Sequence, residues 1–253
     1  MCCIHIGKYW NGVYMRLLLE FKTDEDFKYT AINNYTIQGF IYSFLKRSRS
    51  FHEYHDMDGF KYFCFSNIFP VSDFRKEEPK RILISSPDYR LIRTLEREIR
   101  RNRSAYLGKY PVKIESVSLF KPKLERSFIT STPVVLYQNA SKNYFFSMKK
   151  TNDFQFFMDR LKENALKKYN SFYDDQYYFE GNIFDRLEYS REVAVRLKKA
   201  DKLFIVIGTL WKNLEKFNMD NKKFYYFLLE CGLGEKNSLG FGMLNTVGSI
   251  KNG

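Results

Sequence analysis

The sequence predicts an α+β fold in which a β-α-β-β-α-β unit is followed by a second half whose element order fits a modified unit of the same kind, with no sequence-level repeat between the two. Three observations carry this. Apolar residues recur every second position in short runs and every third or fourth in longer ones, and the two kinds of run alternate. The 253 residues suffice for one large core or two small ones. A charged, proline-containing stretch, Lys121-Pro122-Lys123, divides the chain near its middle, giving units over 15–121 and 124–253.

Residues 1–14 read as an extension, because the first strong strand pattern is Met15–Lys22, and Met15 is a candidate native start. The rival reading is that Val13 and Tyr14 only lengthen that strand. Asn33 or Asn34 caps a helix reaching to about Ser48, with Ile37, Phe40, Ile41, Phe44 and Leu45 inward. At ~100° per residue Tyr42 falls about 140° from Ile37, so it is expected at the edge of the buried face with its hydroxyl open to solvent or substrate. The polar loop Arg47–Gly59 holds His52 and His55, and strands follow at Lys61–Ser66 and Arg81–Ser85.

Ser86-Pro87 starts a second helix, with Leu91, Ile92, Leu95 and Ile99 on its core face. Arg90, Arg93, Arg97, Arg100 and Arg101 form a basic stripe opposite; Glu96 and Glu98 would neutralise part of it, so it reads as a solvated face or as a contact for a polyanion. Val112–Leu119 alternates as a strand and completes β-α-β-β-α-β, the order of a ferredoxin-like (RRM-like) fold.

In the second unit, Ser127–Thr132, Val134–Gln138 and Tyr144–Met148 read as short strands, and Asn152 to about Tyr169 as a helix with Phe154, Phe157, Met158, Leu161 and Ala165 inward. Residues 170–186 show no period and read as a mobile loop; strands follow at Leu187–Leu197 and Lys202–Trp211. Asp220 is the expected cap of the last helix, Lys222–Glu230, and Phe241–Leu244 the last strand. Between these two lie Gly232, Gly234, Gly240 and Gly242, with Lys236 and Ser238 among them. Such a crossover lets the backbone bend and offer N–H groups to phosphate oxygens, or it only turns the chain. The order G-x-x-x-x-G-K-[ST] of a nucleotide-binding loop is absent.

The 42 Lys+Arg against 29 Asp+Glu give a formal charge of +13, which points to a polyanionic partner. No apolar run approaches the ~18 residues of a membrane span, and no secretory signal is present. Cys2, Cys3, Cys64 and Cys231 lack disulfide or zinc spacing; Cys64 and Cys231 are expected as buried thiols, and the default location is cytoplasmic.

Gly232-x-Gly234-x-Lys236-x-Ser238-x-Gly240-Phe241-Gly242-Met243 resembles the C-terminal glycine-rich motif of the CRISPR-associated endoribonucleases that cut precursor CRISPR RNA within its repeats. These belong to a superfamily of repeat-associated RNA-binding proteins with ferredoxin-like folds. The resemblance runs from Met15 onward and is weakest in the middle of the second unit. Tyr42, Phe51-His52-Glu53 and Lys61 are similar in order and spacing to that family's helix tyrosine, its histidine before an acidic residue, and its lysine at a strand start. The resemblance implies Tyr42, His52 and Lys61 as catalytic positions, and CRISPR repeat RNA as the partner. Contacts with effector-complex subunits and homodimer formation stay open.

Metal-free cleavage of RNA by its own 2′-hydroxyl needs a base, an acid and a cation for the developing phosphorane charge. Histidine, tyrosine and lysine supply these near neutral pH. No metal or cofactor is expected, since Asp56/Asp58 and Asp174-Asp175 lack an accompanying histidine–carboxylate cluster. Three alternatives remain. His55, before Asp56, is the local rival of His52; Lys61 reads also as a strand-end cation; Tyr42 reads also as a core-edge side chain. A non-catalytic RNA-binding subunit would share the fold and the glycine-rich loop. A generic RRM protein fits less well, because the RNP1 pattern is missing.

Overall fold

A computed structural model describes residues 14–142, 144–199 and 202–247. The reading of an N-terminal extension therefore falls, apart from Tyr14, outside the described residues.

The first half follows the expected order with one unexpected strand added before its last. Strand β1 (Arg16–Thr23) leads through helix α1 (Asn34–Leu45) to the short β2 (Cys64–Phe65) and β3 (Lys80–Ser85), then helix α2 (Tyr89–Arg101) and the hairpin β4 (Ser104–Leu107) and β5 (Tyr110–Phe120). The sheet order is β2-β3-β1-β5-β4, and every neighbouring pair is antiparallel. Leu17, Leu19 and Phe21 alternate inward from β1 and meet Phe40, Ile41 and Phe44 of α1 and Leu91, Ile92 and Leu95 of α2. Asn33 caps α1 through Tyr35 and Thr36 N–H at 2.9 and 3.1 Å. At α2, Asp88 rather than Ser86 is the cap; Ser86 instead accepts from Asp88 N–H at 3.0 Å, one step ahead of the helix.

The second half forms a separate sheet. Strand β6 (Ser127–Thr130) is followed by the small hairpin β7 (Tyr137–Asn139) and β8 (Tyr144–Phe145), helices α3 (Met148–Thr151) and α4 (Phe154–Tyr173), and the long hairpin β9 (Arg186–Lys199) and β10 (Lys202–Glu215). Helix α5 (Lys222–Cys231) and β11 (Leu244–Thr246) complete it, in sheet order β11-β6-β10-β9. Asn221, not Asp220, caps α5 by accepting from Phe224 N–H at 3.0 Å. The segment 170–186 is not a loose loop. Its first four residues extend α4, Ile183 and Phe184 are fully buried, and Tyr177 and Phe179 pack on Phe224 of α5. Aromatic packing without a period conceals this order from sequence.

The halves share a buried seam. Arg16 of β1 is 2% exposed and donates to Leu244 O and Asn245 Oδ1 at 2.7 Å and to Leu229 O. Beside it Glu230 is fully buried; burial pushes its carboxyl well above the usual range, with Arg16 opposing. Tyr62 packs on Phe172 and Phe227, and Cys64 and Cys231 are free, buried thiols as expected. Among the described residues no helix is long and apolar enough to cross a membrane.

Candidate nucleic-acid interface and active site

The glycine-rich loop is built from the inside. Helix α4 presents an apolar stripe, Leu161, Ala165, Tyr169 and Phe172, and Lys168 falls within it. Its ammonium is buried and donates to Gly232 O at 2.8 Å, Gly234 O at 2.9 Å and Asn237 Oδ1 at 2.7 Å, which uses all three N–H bonds. Burial lowers the Lys168 pKa, partly offset by nearby Cys231 and Glu235. Asn237 in turn donates to Leu233 O and Phe241 O, and α1 grips the outside through Asn34 to Leu239 O and Gln38 to Ser238 O.

This arrangement corrects the expectation that the glycines offer N–H groups to phosphates. Gly232, Gly234, Gly240 and Gly242 are all buried, and the N–H groups of Gly232, Gly240 and Gly242 bond to Leu228, Asn237 and Pro133 carbonyls. Their close approaches are to protein: a Cβ on Gly242 would lie 1.9 Å from Leu233 O, and one on Gly240 2.4 Å from the Phe65 ring. The half-buried Lys236 and Ser238 reach the surface, with the Lys236 ammonium 5.3 Å from the Tyr137 ring centre.

Lys61 stands opposite. With Gly59 and Phe60 it lines a small cleft of about 150 Å³ whose other wall is Lys168 and residues 234–238. Its ammonium donates to Met57 O and sits 5.5 Å from the Tyr54 ring centre. Burial lowers its pKa, while Asp58 and Asp56 pull it back up.

The two histidines separate. His55 meets the Tyr42 ring edge-to-face at 4.9 Å, and its Nδ1 lies 2.6 Å from Asp56 Oδ1. The same carboxylate is held below the usual range, first by His55 and more weakly by Lys46 and Lys61. Tyr42, His55 and Asp56 therefore form a chain of contacts, with Lys46 and Lys61 within electrostatic reach of the carboxylate. His52 faces an adjoining depression lined by Lys46, Arg47, Arg49, Tyr54 and Met57, its Nδ1 2.8 Å from Lys46 O. Tyr42 departs from its expected edge position: it is 4% exposed, packed against Tyr54 and Phe63 as well as His55. Burial and the Asp56 charge raise its pKa, so the hydroxyl stays protonated. The chain folds back over α1 through residues 51–63, which single-helix periodicity does not register.

On α2 Arg93, Arg97 and Arg100 are exposed and Arg90 half-buried, and all four are paired. Arg90 forks onto Asp88 with two contacts of 3.0 Å, Arg93 and Arg100 share Glu96, and Arg97 meets Glu98 at 2.9 Å. The expected partial neutralisation is present, and the outer edges of the guanidiniums face solvent.

Sequence reasoning missed Lys168, Asn34, Gln38 and Asn237. Lys168 left a trace, since a lysine in an apolar helical stripe must find buried acceptors. The other three carry no local signal.

Comparisons with known proteins agree with this architecture. Residues 114–246 match the family model described as CRISPR associated protein Cas6, C-terminal. The CRISPR-associated endoribonuclease Cas6 2 of Methanocaldococcus jannaschii is 41% identical over 241 residues, spanning 92% of this chain and all of that protein. A solved structure titled CRISPR associated protein Cas6 superposes with a TM-score of 0.69 at 22% identity, covering 93% of this chain and 100% of its own. Another, titled as an RAMP protein binding different RNA substrates, gives 0.67 at 18% identity, over 92% and 99%. At such identities these structures speak for the fold, whereas the sequence match carries the family. The chain belongs to the Cas6 family of CRISPR-associated endoribonucleases.

Proposed function

We propose that this protein cuts CRISPR repeat RNA by metal-independent attack of a 2′-hydroxyl on the adjacent phosphate, leaving a 2′,3′-cyclic phosphate and a 5′-hydroxyl and releasing mature guide RNAs. The observation that carries this is the contact chain of Tyr42, His55 and Asp56, with Lys61 within electrostatic reach of the carboxylate and beside the glycine-rich loop. An imidazole held at Nδ1 by a carboxylate keeps Nε2 for proton transfer, as base toward the 2′-hydroxyl or as acid toward the leaving 5′-oxygen. Lys61 supplies the cation for the phosphorane oxygens. Tyr42, being buried, is a positioning residue that fixes the His55 ring.

This assigns the proton-transfer role to His55 ahead of His52. His52 remains the second reading, favoured by its exposed position among Lys46, Arg47 and Arg49, where a phosphate backbone would pass. Arg90, Arg93, Arg97 and Arg100 then extend the positive track, with Lys236 and Ser238 as loop contacts. In each unit the strand that closes it lies next to its first, β5 beside β1 and β11 beside β6, which supports the reading of tandem ferredoxin-like domains meeting near residues 121–123. Single-turnover cleavage by His55→Ala and His52→Ala proteins tests the assignment. His55→Ala should lose on the order of 10²–10⁴ in rate with binding retained. Normal cutting by His55→Ala together with an inactive His52→Ala would reverse it.

A further inference from the structure

A cavity of about 450 Å³ opens between the loop after α1 and the start of α2. Its floor is aromatic: Phe51 and Tyr54 are 7% and 5% exposed and pack edge-to-face with ring centres 5.5 Å apart. Arg90 and Arg97 stand among its walls beside Asp88, to which Arg90 donates twice. Two hydroxyls in the lining, Ser48 and Thr94, belong to residues only 7% exposed, and neither takes part in any hydrogen bond with the described residues. Both hydroxyl oxygens are open to the cavity rather than sealed in the interior, so each can donate to or accept from a group that enters it.

The cavity adjoins the proposed site. Tyr54 and Met57 line it, and the Lys61 ammonium lies over the Tyr54 ring and on Met57 O. A strand whose phosphate rests at Lys61 would therefore have a neighbouring base within reach. We propose that this cavity captures one unpaired nucleobase of the repeat RNA, next to the cut: the ring stacks on the Phe51–Tyr54 floor, the Ser48 and Thr94 hydroxyls read its edge, and Arg90 and Arg97 hold its phosphates. The volume suits a base with its ribose. Aromatic stacking of single-stranded bases combined with hydrogen bonds to their edges is how proteins read unpaired RNA. The inference rests on the endoribonuclease reading, and it makes the cavity the place where sequence is recognised while the catalytic cluster stays indifferent to the base.

The test is an abasic scan. Repeat RNA bearing a non-cleavable 2′-deoxy nucleotide at the cut is made with one base removed at a time, and its affinity is measured for wild-type and Thr94→Val proteins. One position beside the cut should lose about five- to a hundredfold in wild-type affinity, the range for a stacked base. Thr94→Val should weaken binding of intact RNA and reduce the abasic penalty at that position alone. Thr94→Val keeps the side chain's shape; should its melting temperature fall, Ser48→Ala carries the same cycle. Equal penalties in both proteins at every position would overturn the pocket while leaving cleavage intact, as would binding of a free nucleoside monophosphate with penalties unchanged. Absence of any repeat-RNA binding would remove the endoribonuclease reading together with the pocket.

Discussion

Replacing Lys168 with methionine keeps the length of the side chain and removes three hydrogen bonds at once, to Gly232 O, Gly234 O and Asn237 Oδ1. Each acceptor left unpaired in the interior costs about 1–3 kcal/mol. Against this, the wild-type protein bears the cost of burying an ammonium, visible in the direction of its pKa shift, and methionine is relieved of it. Partial relaxation of the loop recovers more, so the net loss should be roughly 2–4 kcal/mol. Urea denaturation measures that loss, and amide exchange locates it. Protection should fall at Leu233, Gly240 and Gly242, whose N–H groups close the loop on Gly242, Asn237 and Pro133 carbonyls, while β1 and β3 keep theirs. Lys168→Arg should not rescue, because a planar fork does not reproduce three acceptors around one nitrogen. Unchanged stability with unchanged exchange would refute the idea that this lysine shapes the loop.

Glycine substitutions should split by position. Gly242→Ala, with φ at 73° and its Cβ forced to 1.9 Å from a backbone oxygen, should destabilise by at least 2 kcal/mol on the order given by backbone strain. Gly39→Ala, in an open position on α1, should stabilise by about 0.5–1 kcal/mol in thermal unfolding. Tyr42→Phe keeps the ring against His55 and should retain most of the cleavage rate, whereas Tyr42→Ala should lower the rate and destabilise the fold; equal loss in both would mean the hydroxyl acts directly. If protonated Lys61 is required, cleavage should decline as pH rises through its lowered pKa, earlier than an ordinary lysine would dictate, and Lys61→Arg should move that decline upward.

Much of the architecture is legible in the sequence because strand and helix periods differ. Leu17, Leu19 and Phe21 alternate, Leu91, Leu95 and Ile99 recur at helical spacing, and both stretches fold as read. The glycine-rich motif carries the family. What periodicity cannot carry is long-range packing. Tyr42 lies on the flank of its own helix but is covered by Tyr54 and Phe63 from a later segment. His52 and His55 are three residues apart in one polar loop, yet only His55 reaches Tyr42 once Phe51 and Tyr54 anchor that loop. From sequence the glycines read equally as a phosphate cradle or as a simple turn of the chain, because glycine permits close approach of either kind; the groups approached are Leu233, Val135 and Phe65.

The most direct measurement is incubation of the purified protein with its own repeat RNA in excess chelator, followed by identification of both new ends. The account predicts one defined cut bearing a 2′,3′-cyclic phosphate and a 5′-hydroxyl, abolished by a single 2′-deoxy substitution just 5′ of the scissile phosphate. Binding without cleavage, cleavage that chelator suppresses, or full cleavage of the deoxy-substituted RNA would contradict it.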